Sequence, residues 1–521
     1  MRVAFRADAS LAIGTGHAMR CLTLAEELRR RGAEVLFICR RHAGHLCGLI
    51  SEKGFRVECL PGQNVALDET PAGPASRAHR GEGENLPAHT DWLGADWRLD
   101  AEQTAEAIRG LGVVDWLIVD HYALDARWES ALRAVTRRIM VIDDLADRAH
   151  DCDLLLDQNL YPEMERRYEA LVPTGCCTLL GPRYALLRPE FAEARAKLRE
   201  RTGDVRRVLI SFGGVDATNE TQKAIEAVGD LPGSGVEVDV VIGGGNPHRN
   251  NLAAICARQP GVHLHLQTHR MAQLMVEADL SIGGGGTVAW ERCAVGLPAI
   301  SWPIAENQAL QIDALAAAGA IVVPDARRDV RVDILRAHVA CLLHSARLRQ
   351  AISRAAMRLC DGLGASRGAN VICTPEVTLR PACVTDGDSM YRWRNEPNVR
   401  EVSLTEEPIP RETHRAWFLK ALSSKNRVLL IAEHGTRAVG VLRYDLKGNE
   451  ADISIFLAPG QTGRGFGLAV LTEGEKWLRR EHPEVSNLRA AVRERNWASK
   501  SLFEKMRFSK HHIVYDKVLS R

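Results

Sequence analysis

Short apolar runs alternate with stretches of helical spacing through the first two thirds of this chain, and that alternation leaves few folds open. EVLFICR, WLIVD, RIMVIDD and DLLLDQ read as buried strands. A second series follows: RRVLISFGG, VEVDVVIGGG, VHLHLQ, DLSIGGGG, LPAISWP and AIVVP. Strands that are apolar on both faces need helices over both faces, and the amphipathic stretches between them supply these. The result is a parallel sheet wound with helices. It occurs twice, with a break near 195–204. The sequence therefore predicts two Rossmann-like halves, 1–195 and 196–370, with ligands at the carboxyl ends of the strands in the cleft between them. Residues 62–100, rich in Gly, Pro, Ala and His, read as a solvated insertion. Gly362, Gly364, Gly368 and Pro375 mark a linker, and 376–521 reads as an α+β domain.

Bulk properties remove several classes. A chain of 521 residues is too long for one core. A net charge of +2 gives no general case for nucleic acid. No apolar run reaches the ~18 residues of a membrane span. Arg2, Arg6 and Asp8 break the first residues, against a signal peptide. Thirteen cysteines without a Cys-x-x-Cys pair point to reduced thiols and a cytoplasmic protein. Residues 376–521 hold 25 Lys and Arg against 19 Asp and Glu, net +6, which a solvated surface explains as well as a polyanionic ligand does.

The glycine turns carry the chemistry. SLAIGTGHAMRC, residues 10–21, follows the first strand; Gly14 and Gly16 lead into His17 at the start of a helix. A glycine turn before a helix N-terminus presents free N–H groups to an anion. The second half has SIGGGGTVAWERCAVGLP, with Gly285 and Gly286 at the turn, Thr287 opening the helix and Glu291 one turn on, where a carboxylate reaches ribose hydroxyls. Gly213 and Gly214 in FGGVDATN, and Asn307 and Gln308 in AENQ, follow strands of the same sheet. Three such loops point to a nucleoside diphosphate, and no Gly-Lys-Ser/Thr marks a Walker site. Neutral imidazole, with an ordinary pKa near ~6.5, is suited to take a proton from attacking water near neutral pH. His17 is therefore the expected general base, with Asp8, close in sequence, expected to orient it. His263, His265 and His269 have no Cys or carboxylate partner at ligand spacing, and no metal is expected.

RADASLAIGTGHAMRC, VDHYALD, VIDDLADRAHDCDLLLDQN, FGGVDATN and GGGGTVAWERCAVGLPAI with ENQ resemble the UDP-2,4-diacetamido-2,4,6-trideoxy-β-L-altropyranose hydrolases of pseudaminic acid biosynthesis. That family is similar in fold to the inverting transferase that adds N-acetylglucosamine in peptidoglycan synthesis. The resemblance implies two Rossmann-like halves of glycosyltransferase-B type, a UDP-sugar substrate, and water displacing UDP at the anomeric carbon. It also implies that the family's essential histidine is His17.

Residues 376–521 resemble the GNAT N-acetyltransferases, through LRPACVTDGDSMYRWRNEPNVR, ISIFLAPGQTGRGFGLAVLTEGEKWL and VRERNWASKSLFEKMRF. The resemblance implies acetyl-CoA held at Leu457, Gly463, Arg464, Gly465, Phe466 and Gly467, with Asn496 and Ser499 in a second cofactor motif. Two positions depart from the family pattern. Thr462 stands where Gln or Arg usually opens the loop, and Phe503 stands where a tyrosine often protonates the thiolate, leaving Tyr444 or Tyr515 as stand-ins. Together the resemblances imply a bifunctional enzyme that N-acetylates a 4-amino UDP-sugar and hydrolyses UDP from the diacetamido product. The alternatives are a glycosyltransferase using a UDP-sugar, or a non-catalytic sugar-nucleotide-binding protein with a degenerate acetyltransferase domain.

Overall fold

The computed structural model describes residues 1–62, 87–198, 201–214, 216–229, 235–324, 330–403, 405–506, 508 and 509. The chain divides into two compact units, Met1–Ala369 and Asn370–Arg521.

The first unit holds two parallel sheets. Strands β1 (Arg2–Ala7), β2 (Glu34–Arg40), β3 (Arg56–Leu60), β4 (Val114–Asp120), β5 (Thr136–Ile142), β6 (Leu154–Asp157) and β7 (Cys177–Leu180) lie in the order β3-β2-β1-β4-β5-β6-β7. Phe5, Phe37, Leu117, Ile139 and Leu155 are fully buried, as sheets covered on both faces require. Strands β8 (Arg207–Ser211), β9 (Glu237–Ile242), β10 (Val262–Leu266), β11 (Leu280–Gly284) and β12 (Ala299–Trp302) follow in the order β10-β9-β8-β11-β12. Each order reverses once, between β1 and β4 and between β8 and β11. Crevices at such reversals are where open α/β sheets bind ligands. The unit thus holds the two Rossmann-like halves expected from the sequence.

Two expectations need correction. AIVVP is not a strand: only Val322 bridges, to Ile300 of β12, and Pro324, which lacks an N–H, ends the run. The glycines of 362–368 do not form a linker. Gly364–Ile372 is a helix, and its first glycine lies so close to the backbone of Tyr184 and Ala185 that a Cβ would overlap it. Arg31 donates to the carbonyl and hydroxyl oxygens of Ser366 in the same helix. Gly362 and Gly364 serve close packing, not flexibility. In the predicted insertion, residues 63–86 lie outside the described residues; a 3-10 turn, Thr90–Leu93, and the helix Trp97–Arg109 follow.

The second unit is α+β. Strands β13 (Thr378–Pro381), β14 (Arg427–His434), β15 (Arg437–Lys447), β16 (Glu450–Leu457) and β17 (Asn487–Ala490) form one sheet in chain order. All pairs are antiparallel except β16 with β17. That parallel pair needs a crossover, which the helix Phe466–Glu481 provides. Among the described residues no helix is long and apolar enough to cross a membrane.

Candidate functional site

His17 sits at the reversal point of the first sheet. Gly14, at φ +80°, turns the chain after β1. The Ser10 hydroxyl accepts from the Ile13 amide at 2.9 Å and fixes the loop. The helix Gly16–Arg30 then starts without a side-chain cap or an acidic residue in its first turn, leaving its N–H groups open to an anion. His17, 8 % exposed, places Nδ1 2.6 Å from Oδ1 of Asp120, the last residue of β4. A carboxylate can only accept, so Nδ1 carries a proton, and in the neutral ring the lone pair is then on Nε2. Arg20, one turn on, grips the same carboxylate through Nε at 2.6 Å and Nη2 at 2.7 Å. Burial opposes the Asp120 charge, but Arg20 and then His17 outweigh it and hold the carboxyl well below the usual range.

Asp8 does not orient His17. It accepts from Arg6 Nη1 at 2.6 Å and from the Arg40 amide at 2.7 Å, with His121 Nε2 3.3 Å away. Residues two apart on a strand share a face, so Arg6 claims it. The residue that does the work, Asp120, lies a hundred positions on in VDHYALD. A strand ending in an acid was its signal in the sequence.

The cleft wall beside His17 is built from Tyr122, Asp144, Gln158, Asn159 and Tyr161. The Tyr122 ring meets His17 edge-on at 4.6 Å, and its hydroxyl donates to Asp144 at 2.5 Å. Asp144 also accepts from Arg20 at 3.1 Å and from Asn159 Nδ2 at 3.2 Å. Two amides are locked in orientation. Gln158 Oε1 accepts from the Leu186 amide at 3.1 Å, and Asn159 Oδ1 accepts from Trp290 Nε1 at 3.0 Å. None of these five residues is among the expected site residues, although Tyr122, Asp144, Gln158 and Asn159 lie in the motifs that carry the hydrolase resemblance.

Across the same cleft lie Gly286, Thr287, Gln308 and Gln311, with Gly16 and Arg20 on the His17 side. Gly285 caps the helix Gly286–Ala294 and Gly286 has φ +55°. Gln308 Oε1 accepts from the Ile304 amide at 3.2 Å, and Gln311 donates to the Gly286 carbonyl at 3.3 Å. Beneath the loop, buried Arg292 donates to the Gly284 carbonyl at 2.7 Å; burial pulls it down to about 10. Gly213, at φ +88°, and Gly214 follow β8 at the reversal of the second sheet but are not among the lining residues. Nor are Gly14, Gly285 or Glu291. Glu291 stands 3.8 Å from Arg188, and burial pushes its carboxyl up to about 7 despite that charge. The Asn307 side chain lies outside the described residues. His263 and His265 pair singly with Glu237 and Asp239, and among the described residues no group of three ligands could hold a metal.

In the second unit, β16 ends at Leu457 and runs into a loop with Gly460, Gly463 and Gly465 all at positive φ. Gly465 caps the helix Phe466–Glu481, again with no side-chain cap. Arg464 donates to the buried Gln461 side chain at 3.2 Å. Backbone N–H groups at such a turn form an anion cradle. Around it, Gly463 has open space, while a Cβ at Gly467 would press on Leu502. Asn496 is used locally: its side-chain oxygen caps the helix Trp497–Lys505 through the Ser499 amide at 3.0 Å, and its nitrogen donates to the Val402 carbonyl at 3.2 Å. Phe503 packs on Phe508 in the core. Tyr444 is no stand-in acid: it is wholly buried with its hydroxyl facing Gly474, and burial raises its pKa. Tyr515 lies outside the described residues.

Residues 376–509 match the acetyltransferase (GNAT) domain family, so the second unit carries a GNAT domain. The chain is 27% identical over 282 residues to the UDP-2,4-diacetamido-2,4,6-trideoxy-β-L-altropyranose hydrolase of Campylobacter jejuni, covering 54% of this chain and 83% of that protein. It is 21% identical over 535 residues to the uncharacterized protein MJ1062 of Methanocaldococcus jannaschii, covering 98% of this chain and 97% of that one. Among solved structures, MurG of Acinetobacter baumannii aligns at 15% identity with a TM-score of 0.47, over 71% of this chain and 98% of that one.

Proposed function

We propose that this chain is a bifunctional sugar-nucleotide enzyme of the cytoplasm, where UDP-sugars and acetyl-CoA are made. The observation that carries the hydrolase is the His17–Asp120–Arg20 group facing Gly286 and Thr287 across one cleft. In this reading the uncapped helix Gly286–Ala294 and the Gln308 amide hold the diphosphate of UDP-2,4-diacetamido-2,4,6-trideoxy-β-L-altropyranose, and Glu291 holds its ribose. His17 Nε2 takes a proton from water as the water oxygen bonds to the anomeric carbon. The bond from that carbon to the diphosphate oxygen breaks, and UDP leaves with the electron pair. Asp120 stabilises the imidazolium that forms, and Asp144 lends negative charge near the anomeric carbon. The locked Gln158 and Asn159 amides suit acetamido groups.

The GNAT domain supplies the preceding step. Acetyl-CoA lies with its pyrophosphate on the amides of residues 463–467. The 4-amino nitrogen attacks the thioester carbonyl, the C–N bond forms, the C–S bond breaks, and the proton lost by nitrogen ends on the CoA sulfur.

A proton NMR time course of the purified chain with the diacetamido UDP-sugar and no acceptor tests the hydrolase. UDP and free sugar are expected in equal amounts. UDP release only after an acceptor alcohol is added would make the chain a glycosyltransferase; binding without turnover would make it a sensor.

A further inference from the structure

Four arginines of the second unit converge on one two-residue segment. Arg394, on the helix Gly387–Asn395, donates to the Thr405 carbonyl at 3.5 Å; Arg400, on the helix Pro397–Glu401, donates to the Glu406 carbonyl at 2.8 Å. The Glu406 carboxylate accepts from both Arg493 and Arg495. A fifth, Arg443 of β15, pairs with Asp445 at 3.1 Å, and Asp445 is shared with Arg427. The cluster therefore carries more guanidinium than carboxylate. Arg394 Nη1 is buried with no hydrogen-bond partner. Burial, and then Arg443 and Arg400, pull Arg394 below its usual range. A half-buried guanidinium among like charges, with one nitrogen buried and unpaired, is costly to hold unless an anion completes it.

Its position in the sheet gives the cluster a role. β16 and β17 pair only from Glu450–Ile453 with Asn487–Ala490. Arg443 stands opposite Ser454, on the first rung past that pairing, and Arg493 and Arg495 lie just past Ala490. β16 continues from there to the glycine loop. The arginines thus flank the gap between two diverging strands, at the end of the sheet that holds the loop.

We propose that this arginine cluster is the acceptor site of the acetyltransferase domain and that it takes an amine bearing a diphosphate, a nucleoside-diphosphate amino sugar. The proposal rests on the acetyltransferase reading above and adds the part of the acceptor that is gripped. Guanidinium forks match phosphate oxygens in pairs, and the same cluster repels a polyamine.

Calorimetry on the full-length chain saturated with CoA, titrated with UDP, tests it without turnover. Two equivalents of UDP are expected, one in each unit. In Arg394→Gln/Arg400→Gln one equivalent is lost while CoA still binds, which shows that the fold survives; Arg394→Lys keeps a weakened second site. One equivalent in the wild type, or two in the double variant, overturns the proposal. Steady-state acetyl transfer then compares UDP-4-amino-4,6-dideoxy-N-acetyl-β-L-altrosamine with the same amino sugar lacking UDP. Arg394→Gln is expected to raise KM for the UDP-linked acceptor roughly tenfold or more, with KM for acetyl-CoA unchanged. Equal use of both amines by the wild type overturns the site and leaves the acetyltransferase reading standing. Two bound UDP with neither amine acetylated overturns that reading instead.

Discussion

His17 offers its Nε2 lone pair to the cleft only while Asp120 occupies Nδ1–H. Asp120→Asn keeps the shape but can present an N–H to the ring, favouring the wrong tautomer. It is expected to lower kcat for UDP release by about 10²–10⁴-fold. UDP affinity should change little, because the proposed nucleotide contacts lie on the other half; calorimetry and a rate assay on one preparation check both. His17→Asn should show the same split, and a variant keeping half the normal rate would remove His17 from the base's role. Glu291 gives a pH signature. Its carboxyl is pushed up to about 7, mainly by burial, and ribose hydroxyls donate best to the ionised form. Lowering the pH through 7 protonates it, so affinity should fall toward tenfold per unit below that value and level off above it. Uridine is the probe of choice, since it has no phosphate to titrate. Glu291→Gln should flatten the profile and weaken binding by roughly 1.5 kcal/mol or more; a profile unchanged by the substitution would take Glu291 out of the site.

At the scale of elements, the helix Gly364–Ile372 ties the end of the first unit back to its beginning. A Cβ at Gly368 would sit in ordinary contact with Leu24, on the helix that carries His17, and with Leu156 of β6. Gly364→Leu would force a side chain against the backbone at 184–185, which cannot yield, and should cost about 3 kcal/mol; chemical denaturation of residues 1–375 measures it. A fragment ending at Leu363 should be unstable where one ending at Pro375 folds. This element also marks the limit of what is legible in the sequence. Periodicity exposes strands such as EVLFICR because burial on both faces leaves an unbroken apolar run. It exposes the glycine turns because positive φ selects Gly14, Gly213 and Gly465. It does not distinguish a flexible glycine from one pressed against another backbone, so Gly364 read as linker. Nor does it reveal pairings set by strand order. Asp8 is near His17 in sequence, and Asp120 is near it only because β4 lies beside β1.

At the scale of the whole molecule, the two proposed chemistries fall in two compact units of one chain. Residues 1–375 alone should hydrolyse the diacetamido UDP-sugar at the full-length rate, and residues 376–521 alone should transfer acetyl from acetyl-CoA, both followed by NMR. An inactive 1–375 fragment beside an active full chain would show that the units depend on each other. The placement of His17 and Asp120 behind β1 and β4 also has a consequence for durability. Those strands are interior to a seven-stranded sheet, flanked on both sides by hydrogen-bonded neighbours. Interior amides of that kind exchange with solvent only when the whole sheet opens, whereas loops and edges open locally. The His17–Asp120 pair thus sits at the ends of strands expected to be among the slowest to exchange in their unit. In rising urea, hydrolysis should persist until the unit unfolds and then vanish in the same transition, with no earlier stage at which the protein is folded and silent.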